Sequence, residues 1–367
     1  MRFSIVDLDN DHHDWRETKP KWAIPTTIES GPFARDTMPR SPTMNDVARE
    51  ANVSLKTVSR FVNGETNISP VLAARIARSI DDLGYRRNLA AASIRPGWTS
   101  KVLGLIISDL ANPYYSALSQ AVEQCARDFG YLLISASSDE NSVQYDLLVD
   151  RLLEQRVDGL LIVPPRNPGR PWSAVASPIP PVVFIDQLVP DFGADTVVAD
   201  NFGGAREATL ELIRNGAKRV AFIGDSLSLH TIRERRRGYV EALETSGLHE
   251  VADLTAFEIH SSQEAADAAE RLLSQGHADA IFASNNRASV GALMAFDRVG
   301  YRVPLIGFDD FEAAQFASPA VSVVGQDVAE MGRRAAELLI GRLEGRGRAP
   351  EAHTLPTTLV LRGSERL

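Results

Sequence analysis

Residues 55–63, LKTVSRFVN, carry a face of hydrogen-bond donors. Val58, Phe61 and Val62 recur at i, i+3 and i+4, the buried side of a helix. Lys56, Thr57, Ser59, Arg60 and Asn63 fall on the opposite side, which has no carboxylate. Such a face can donate to phosphates and to base edges, and Leu55 can make an apolar contact with a thymine methyl. A solvated surface helix would show the same pattern, so the flanking sequence must decide. A second set of polar residues lies at the ends of short apolar runs: Ser108-Asp109, Asp186, Gly224-Asp225, Ser284-Asn285 and Asp309-Asp310. In parallel sheets, ligands bind beyond the carboxyl ends of the strands.

The donor face is flanked by two further short helices. Thr43 with Asp46 three residues on forms a capping-box pattern that opens a helix whose buried stripe is Val47 and Ala51. Asn52 supplies the tight turn, because Asn tolerates a left-handed backbone better than most residues. Ser54 caps the donor helix and Asn63-Gly64 ends it. Ser69-Pro70 opens a third helix with Leu72, Ile76, Ile80 and Leu83 inward, and Gly84 stops it. Helix, tight turn, helix and bracing helix is the helix-turn-helix pattern, whose second helix enters the major groove.

Residues 85–97, YRRNLAAASIRPG, predict a helix of about two turns over 89–95, capped by Asn88. So short a helix folds only on a partner. It is slim at Ala91, carries charge at Arg95, and has one bulky wedge, Ile94, suited to prying a base step open in the minor groove.

From residue 101 the chain alternates between apolar runs and helical spacing. VLGLII, YLLISAS, GLLIV, VVFID, RVAFIG, AIFAS and VPLIGF lack period-two alternation, which predicts parallel strands buried on both faces in a doubly wound α/β body of two halves. These patterns predict a disordered leader over 1–42, a DNA-binding domain over 43–87, a hinge over 88–100 and a body over 101–367.

The chain has 367 residues and a net charge of −9, yet residues 43–98 hold eight Lys/Arg against five acids. A basic module on an acidic body fits a nucleic-acid binder with a regulatory part. The single cysteine, Cys125, can form neither an internal disulfide nor a zinc cluster, and the N-terminus lacks a secretory pattern, so the expected compartment is the cytoplasm. No metal, cofactor, membrane span or catalytic constellation is expected. A solute-binding protein would use such a body but would not need residues 43–97.

The ordered segments DVAREANVSLKTVSRFVNG, LGYRRN, AASIR, IISDLANPYY, VDGLLIVP, VVFIDQ, VADNFGGA and LIGFDDFE resemble the lactose-repressor (LacI/GalR) family over about residues 43–367. The resemblance implies a ligand-responsive transcription regulator, most often a repressor of a sugar operon. It would be a homodimer or tetramer on a near-palindromic operator, with a body like type I periplasmic binding proteins. Leu55, Lys56, Thr57, Ser59 and Arg60 match the groove-reading helix and Asn88 onward matches the hinge. Tyr114, Tyr115, Asp186, Arg235, Asn285, Asp309 and Gln326 match ligand contacts. Ile94 replaces a leucine, Asn52 replaces the turn glycine, and Asn286 replaces an aspartate.

Overall fold

The computed structural model describes residues 40–65, 67–86, 99–189, 192–275 and 277–366. Asn88, Ala91, Ile94 and Arg95, with most of the leader and hinge, lie outside the described residues. The chain divides into two compact units between residues 88 and 89.

The first unit contains α1 (Met44–Glu50), α2 (Leu55–Val62) and α3 (Pro70–Leu83). The Asp46 carboxylate accepts from the Thr43 backbone N–H at 2.8 Å, closing the start of α1. Asn52 sits at φ +48°, the left-handed turn between α1 and α2. The Ser54 hydroxyl accepts from Thr57 N–H at 3.1 Å, and Gly84 ends α3 at φ +61°. Val47, Ala48, Ala51, Val58 and Ile76 form the buried core, with Phe61, Leu72, Ile80 and Leu83 half-buried around it. Three short helices this small are held by that shared core and their caps rather than by helix propensity alone.

The second unit has two lobes, each built on a six-stranded sheet. The N-lobe carries β1 (Val102–Ile107), α4 (Pro113–Asp128), β2 (Leu132–Ser137), α5 (Ser142–Glu154), β3 (Gly159–Ile162), β4 (Val182–Ile185) and β5 (Asp195–Ala199). The chain then crosses into the C-lobe: α6 (Asn201–Arg214), β6 (Val220–Ile223), α7 (His230–Thr245), β7 (Thr255–Ala256), α8 (Ser262–Ser274), β8 (Ala280–Ala283), α9 (Asn286–Val299), β9 (Leu305–Phe308) and β10 (Ser322–Gln326). It returns as α10 (Val328–Leu343) and β11 (Ala352–Leu355), and crosses a third time into β12 (Thr357–Val360).

The strand orders are β11-β5-β4-β3-β1-β2 and β12-β10-β9-β8-β6-β7. All pairings are parallel except β10 with β12. The two lobes therefore repeat one topology, with β1 equivalent to β6, β3 to β8 and β4 to β9. Strands β3, β4, β8 and β9 are buried along their whole length, as continuous apolar runs predict. β2 departs from that expectation. It is an edge strand, and Leu132 is 63% exposed beside Ile134 at 38%. Leu132 and Ile134 have no covering layer among the described residues, whereas Leu133 packs against the N-lobe core.

Candidate functional site

The donor face of α2 is open. Leu55, Lys56 and Asn63 are exposed, and Thr57, Ser59 and Arg60 are half-exposed, while Val58 is buried beneath them. Lys56 makes no ion pair among the described residues. Arg60 is already engaged, its Nε donating to Glu65 Oε2 at 2.7 Å. The acid closest to this face lies just beyond the helix, where the periodicity of α2 gave no sign of it.

In the body, Tyr114, Tyr115, Asp186, Arg235, Asn285, Asp309 and Gln326 all line one cleft between the lobes. Seven residues from six stretches of sequence meet because each lies at a strand's carboxyl end or in the following helix. Asp186 follows β4 and Asp309 follows the equivalent β9, and both stand in the left-handed region, at φ +67° and +69°. A strained non-glycine backbone at matching positions of two lobes marks sites where conformation serves binding.

Arg235 is the electrostatic centre. Its Nε donates to Asn201 Oδ1 at 2.8 Å, and its Nη1 donates to the Ser284 carbonyl at 2.6 Å and reaches Asp309 Oδ2 at 3.4 Å. The guanidinium lies 3.7 Å from the centre of the Phe308 ring. Gln326 Nε2 donates to Asp309 Oδ1 at 2.5 Å. Across the cleft, Tyr114 donates to Asp186 Oδ1 at 3.3 Å and meets Tyr115 edge to face at 5.0 Å. Burial, with the nearby Asp186 charge, pushes both phenols well above their usual range, so they stay neutral. Asn285 Oδ1 is spent capping α9, accepting from Ala288 N–H at 2.8 Å.

Burial pushes the Asp186 carboxyl up to about 6, against the pull of Arg235, and the Asp309 charge adds to the rise. The folded protein therefore holds a proton that the unfolded chain releases between about pH 4 and 6. Stability falls across that window as pH rises, and above it the protein carries a costly buried charge. Asp186→Asn removes that charge and tolerates the left-handed backbone. It is expected to raise unfolding free energy near neutral pH by up to about 3 kcal/mol, with the gain vanishing below pH 4, as thermal denaturation across pH would show.

Two cleft residues make bonds that sequence reading did not assign to them. Gln187 bonds Asp186 Oδ2, Thr231 Oγ1 and the His230 backbone N–H, joining β4 to α7. Asn286 Nδ2 donates to Asn112 Oδ1 at 2.8 Å across the lobes, so the asparagine that replaces an aspartate has a cross-lobe partner. Their signal is tertiary, because each pairs with a residue remote in sequence. Among the described residues no cluster of three metal-ligating side chains occurs, and no helix is long and apolar enough to cross a membrane.

Residues 43–88 match the model of bacterial regulatory proteins of the lacI family, and residues 209–365 match a periplasmic binding protein-like domain. The HTH-type transcriptional regulator CelR of Thermobifida fusca is 31% identical over 337 residues, covering 89% of this chain and 98% of CelR. The chain belongs to the LacI family. A second relative, the HTH-type transcriptional regulator GalS of Salmonella typhimurium, is 29% identical over 88% of this chain and 96% of GalS. A solved transcriptional regulator CelR–cellobiose complex is 28% identical, covers 88% of this chain and 99% of its own, and has a TM-score of 0.64. The first unit is thus a LacI-family helix-turn-helix domain, and the two-lobed body has the periplasmic-binding-protein-like fold. The protein is a DNA-binding transcription regulator.

Proposed function

We propose that the protein represses a sugar-utilisation operon as a homodimer and that a neutral, hydroxyl-rich effector bound in the interlobe cleft controls it. The carrying observation is the convergence of Tyr114, Asp186, Arg235, Asp309 and Gln326 on one cleft. Carboxylates accept from sugar hydroxyls, Arg235 donates to them, and an aromatic ring packs on a sugar face. Arg235 is the guanidinium at the centre, and it is largely committed to Asn201, Ser284 and Asp309, which disfavours phosphorylated ligands. The cellobiose complex of CelR agrees with a sugar effector. The apolar edge at Leu132 and Ile134, uncovered among the described residues, supports a second copy as the covering partner.

A thermal-shift series over neutral sugars, sugar phosphates and nucleosides tests the effector class. A ligand at 100 times its dissociation constant stabilises by about 2.7 kcal/mol. Stabilisation by neutral sugars is expected, and stabilisation confined to sugar phosphates or nucleosides would contradict the reading.

At the DNA end, we propose that Leu55, Lys56, Thr57, Ser59, Arg60 and Asn63 meet the major groove, and that Asn88, Ala91, Ile94 and Arg95 serve as hinge contacts. Lys56→Ala is expected to cost about 1–3 kcal/mol and to relax preference at one operator position. Binding to a panel of singly substituted operators checks this, since equal weakening on operator and random DNA would reduce Lys56 to a phosphate contact.

A further inference from the structure

The repeated topology of the lobes places four charged residues in a matched arrangement, and three of them, Asp109, Asp225 and Arg287, line the same cleft without having been assigned a role so far. Asp109 lies two residues beyond β1, and Asp225 lies two residues beyond the equivalent β6. Arg166 lies four residues beyond β3, and Arg287 four beyond the equivalent β8. Each arginine crosses the cleft to the aspartate of the other lobe. Arg287 Nη2 pairs with Asp109 Oδ2, and Arg166 Nη1 pairs with Asp225 Oδ1 at 3.2 Å.

Each member also has support within its own lobe, and His260 Nδ1 meets both Arg166 Nη1 at 2.9 Å and Asp225 Oδ1 at 2.8 Å. Asp109 Oδ1 accepts from the Ala111 backbone N–H at 2.8 Å, and Asp225 Oδ1 accepts from the Ser226 N–H at 2.6 Å. Arg166 is held in its own lobe by Glu140, which accepts from its backbone N–H at 2.8 Å and lies 3.8 Å from its Nε. Arg287 is held in its own lobe by the His260 carbonyl, which accepts from its Nη1 at 3.3 Å. Side-chain exposure is 15% and 11% for Arg166 and Asp225, and 33% and 23% for Arg287 and Asp109. Exposed ion pairs contribute little because water competes and two long side chains must be ordered. Here the carboxylates are already fixed, the pairs are partly withdrawn from solvent, and screening is correspondingly weaker.

We propose that Asp109, Arg166, Asp225 and Arg287 form a two-point closure that holds the lobes together at topologically equivalent positions, acting as positioning residues for whatever fills the cleft. Parting the lobes breaks both pairs. The two pairs act together with the cross-lobe bonds that Gln187 makes to Thr231 and His230 and that Asn286 makes to Asn112, and losing both pairs removes the ionic part of that restraint. The proposal rests on the reading of this cleft as the effector site, but its test needs no effector, so the two can fail separately.

Spin labels at Val143→Cys and Gln263→Cys, in a Cys125→Ala background, report the lobe separation in the full-length protein. Both positions are exposed and sit second in the equivalent helices α5 and α8. The parent is expected to give one short-distance population. Arg287→Gln or Arg166→Gln should broaden it, and the two together should shift the main population to longer distance. Exchanging the charges, Asp109→Arg with Arg287→Asp, should restore the short population in the Arg287 arm, which a merely structural role would not do. Thermal unfolding of each variant establishes that it is folded. A double Gln variant whose distance distribution overlays the parent's, or a charge exchange that fails to restore it, overturns the proposal.

Discussion

Arg235→Ala is expected to abolish the effector response and to destabilise the body by about 3–5 kcal/mol, the cost of leaving a buried charge without its partner. Three groups lose their donor at once: Asn201 Oδ1, the Ser284 carbonyl and Asp309 Oδ2. Arg235 and Asp309 are both buried in the C-lobe, so water cannot readily replace what is lost. Loss of response through unfolding must be separated from loss of a ligand contact. Adding Asp309→Asn to the same chain removes the orphaned charge. The double variant should recover much of the stability and still fail to respond, because both contacts are gone. Denaturant unfolding with effector titration on the two variants reads both quantities. Recovery of the response together with stability would show that Arg235 has only a structural role.

Gly238→Ala carries the other large expected effect. Gly238 lies one turn beyond Arg235 on α7, where that helix crosses α6. A Cβ there would stand 2.2 Å from the Phe202 carbonyl oxygen and 2.9 Å from the Arg206 nitrogen, both backbone atoms that cannot swing aside. Forcing the helices apart is expected to cost about 3 kcal/mol. The displacement would also draw Asn201, the first residue of α6, away from Arg235, so effector affinity should fall although Gly238 does not line the cleft. Gly341→Ala is the matched control: it lies in α10 with nothing within 4 Å of the added Cβ. There alanine should stabilise by about 0.5–1 kcal/mol. Thermal denaturation of the pair gives the two signs, and a Gly238→Ala protein as stable as the parent would contradict the close packing of α6 on α7.

The helix-turn-helix unit was legible because its signals are local. Capping at Thr43, Ser54 and Ser69, the turn at Asn52 and the stop at Gly84 each act within a few residues, and the apolar spacing fixes which face is buried. The buried strands β1, β3, β4, β6, β8 and β9 were legible as apolar runs. β5, β7, β10, β11 and β12 were not. β7 has two residues, and β11 and β12 are half-exposed edge strands with Thr and His interleaved, separated only by Pro356. Their pairing is decided by crossing between lobes, which no local period encodes.

The cleft divides in the same way. Asp186 and Asp309 stood out as acids at the ends of apolar runs, and Arg235 stood out through the family resemblance. Arg166 lies within VPPRNPGRP, which reads as a loop, and its role depends on Asp225, 59 residues on. Cross-lobe partners become visible only when the lobes are placed together.

The central claim is that one protein reads a DNA sequence and that occupancy of its cleft alters that reading. Fluorescence anisotropy on a duplex from its own promoter region, against random duplex of equal length at one salt concentration, tests both halves. Promoter binding should exceed random binding by at least about 10³-fold. A sugar that stabilises the body should change promoter affinity in the parent, and the Arg235→Ala/Asp309→Asn protein should show promoter affinity that the same sugar leaves unchanged. Equal affinity for promoter and random DNA, or promoter affinity indifferent to a sugar that demonstrably binds the body, would contradict the account.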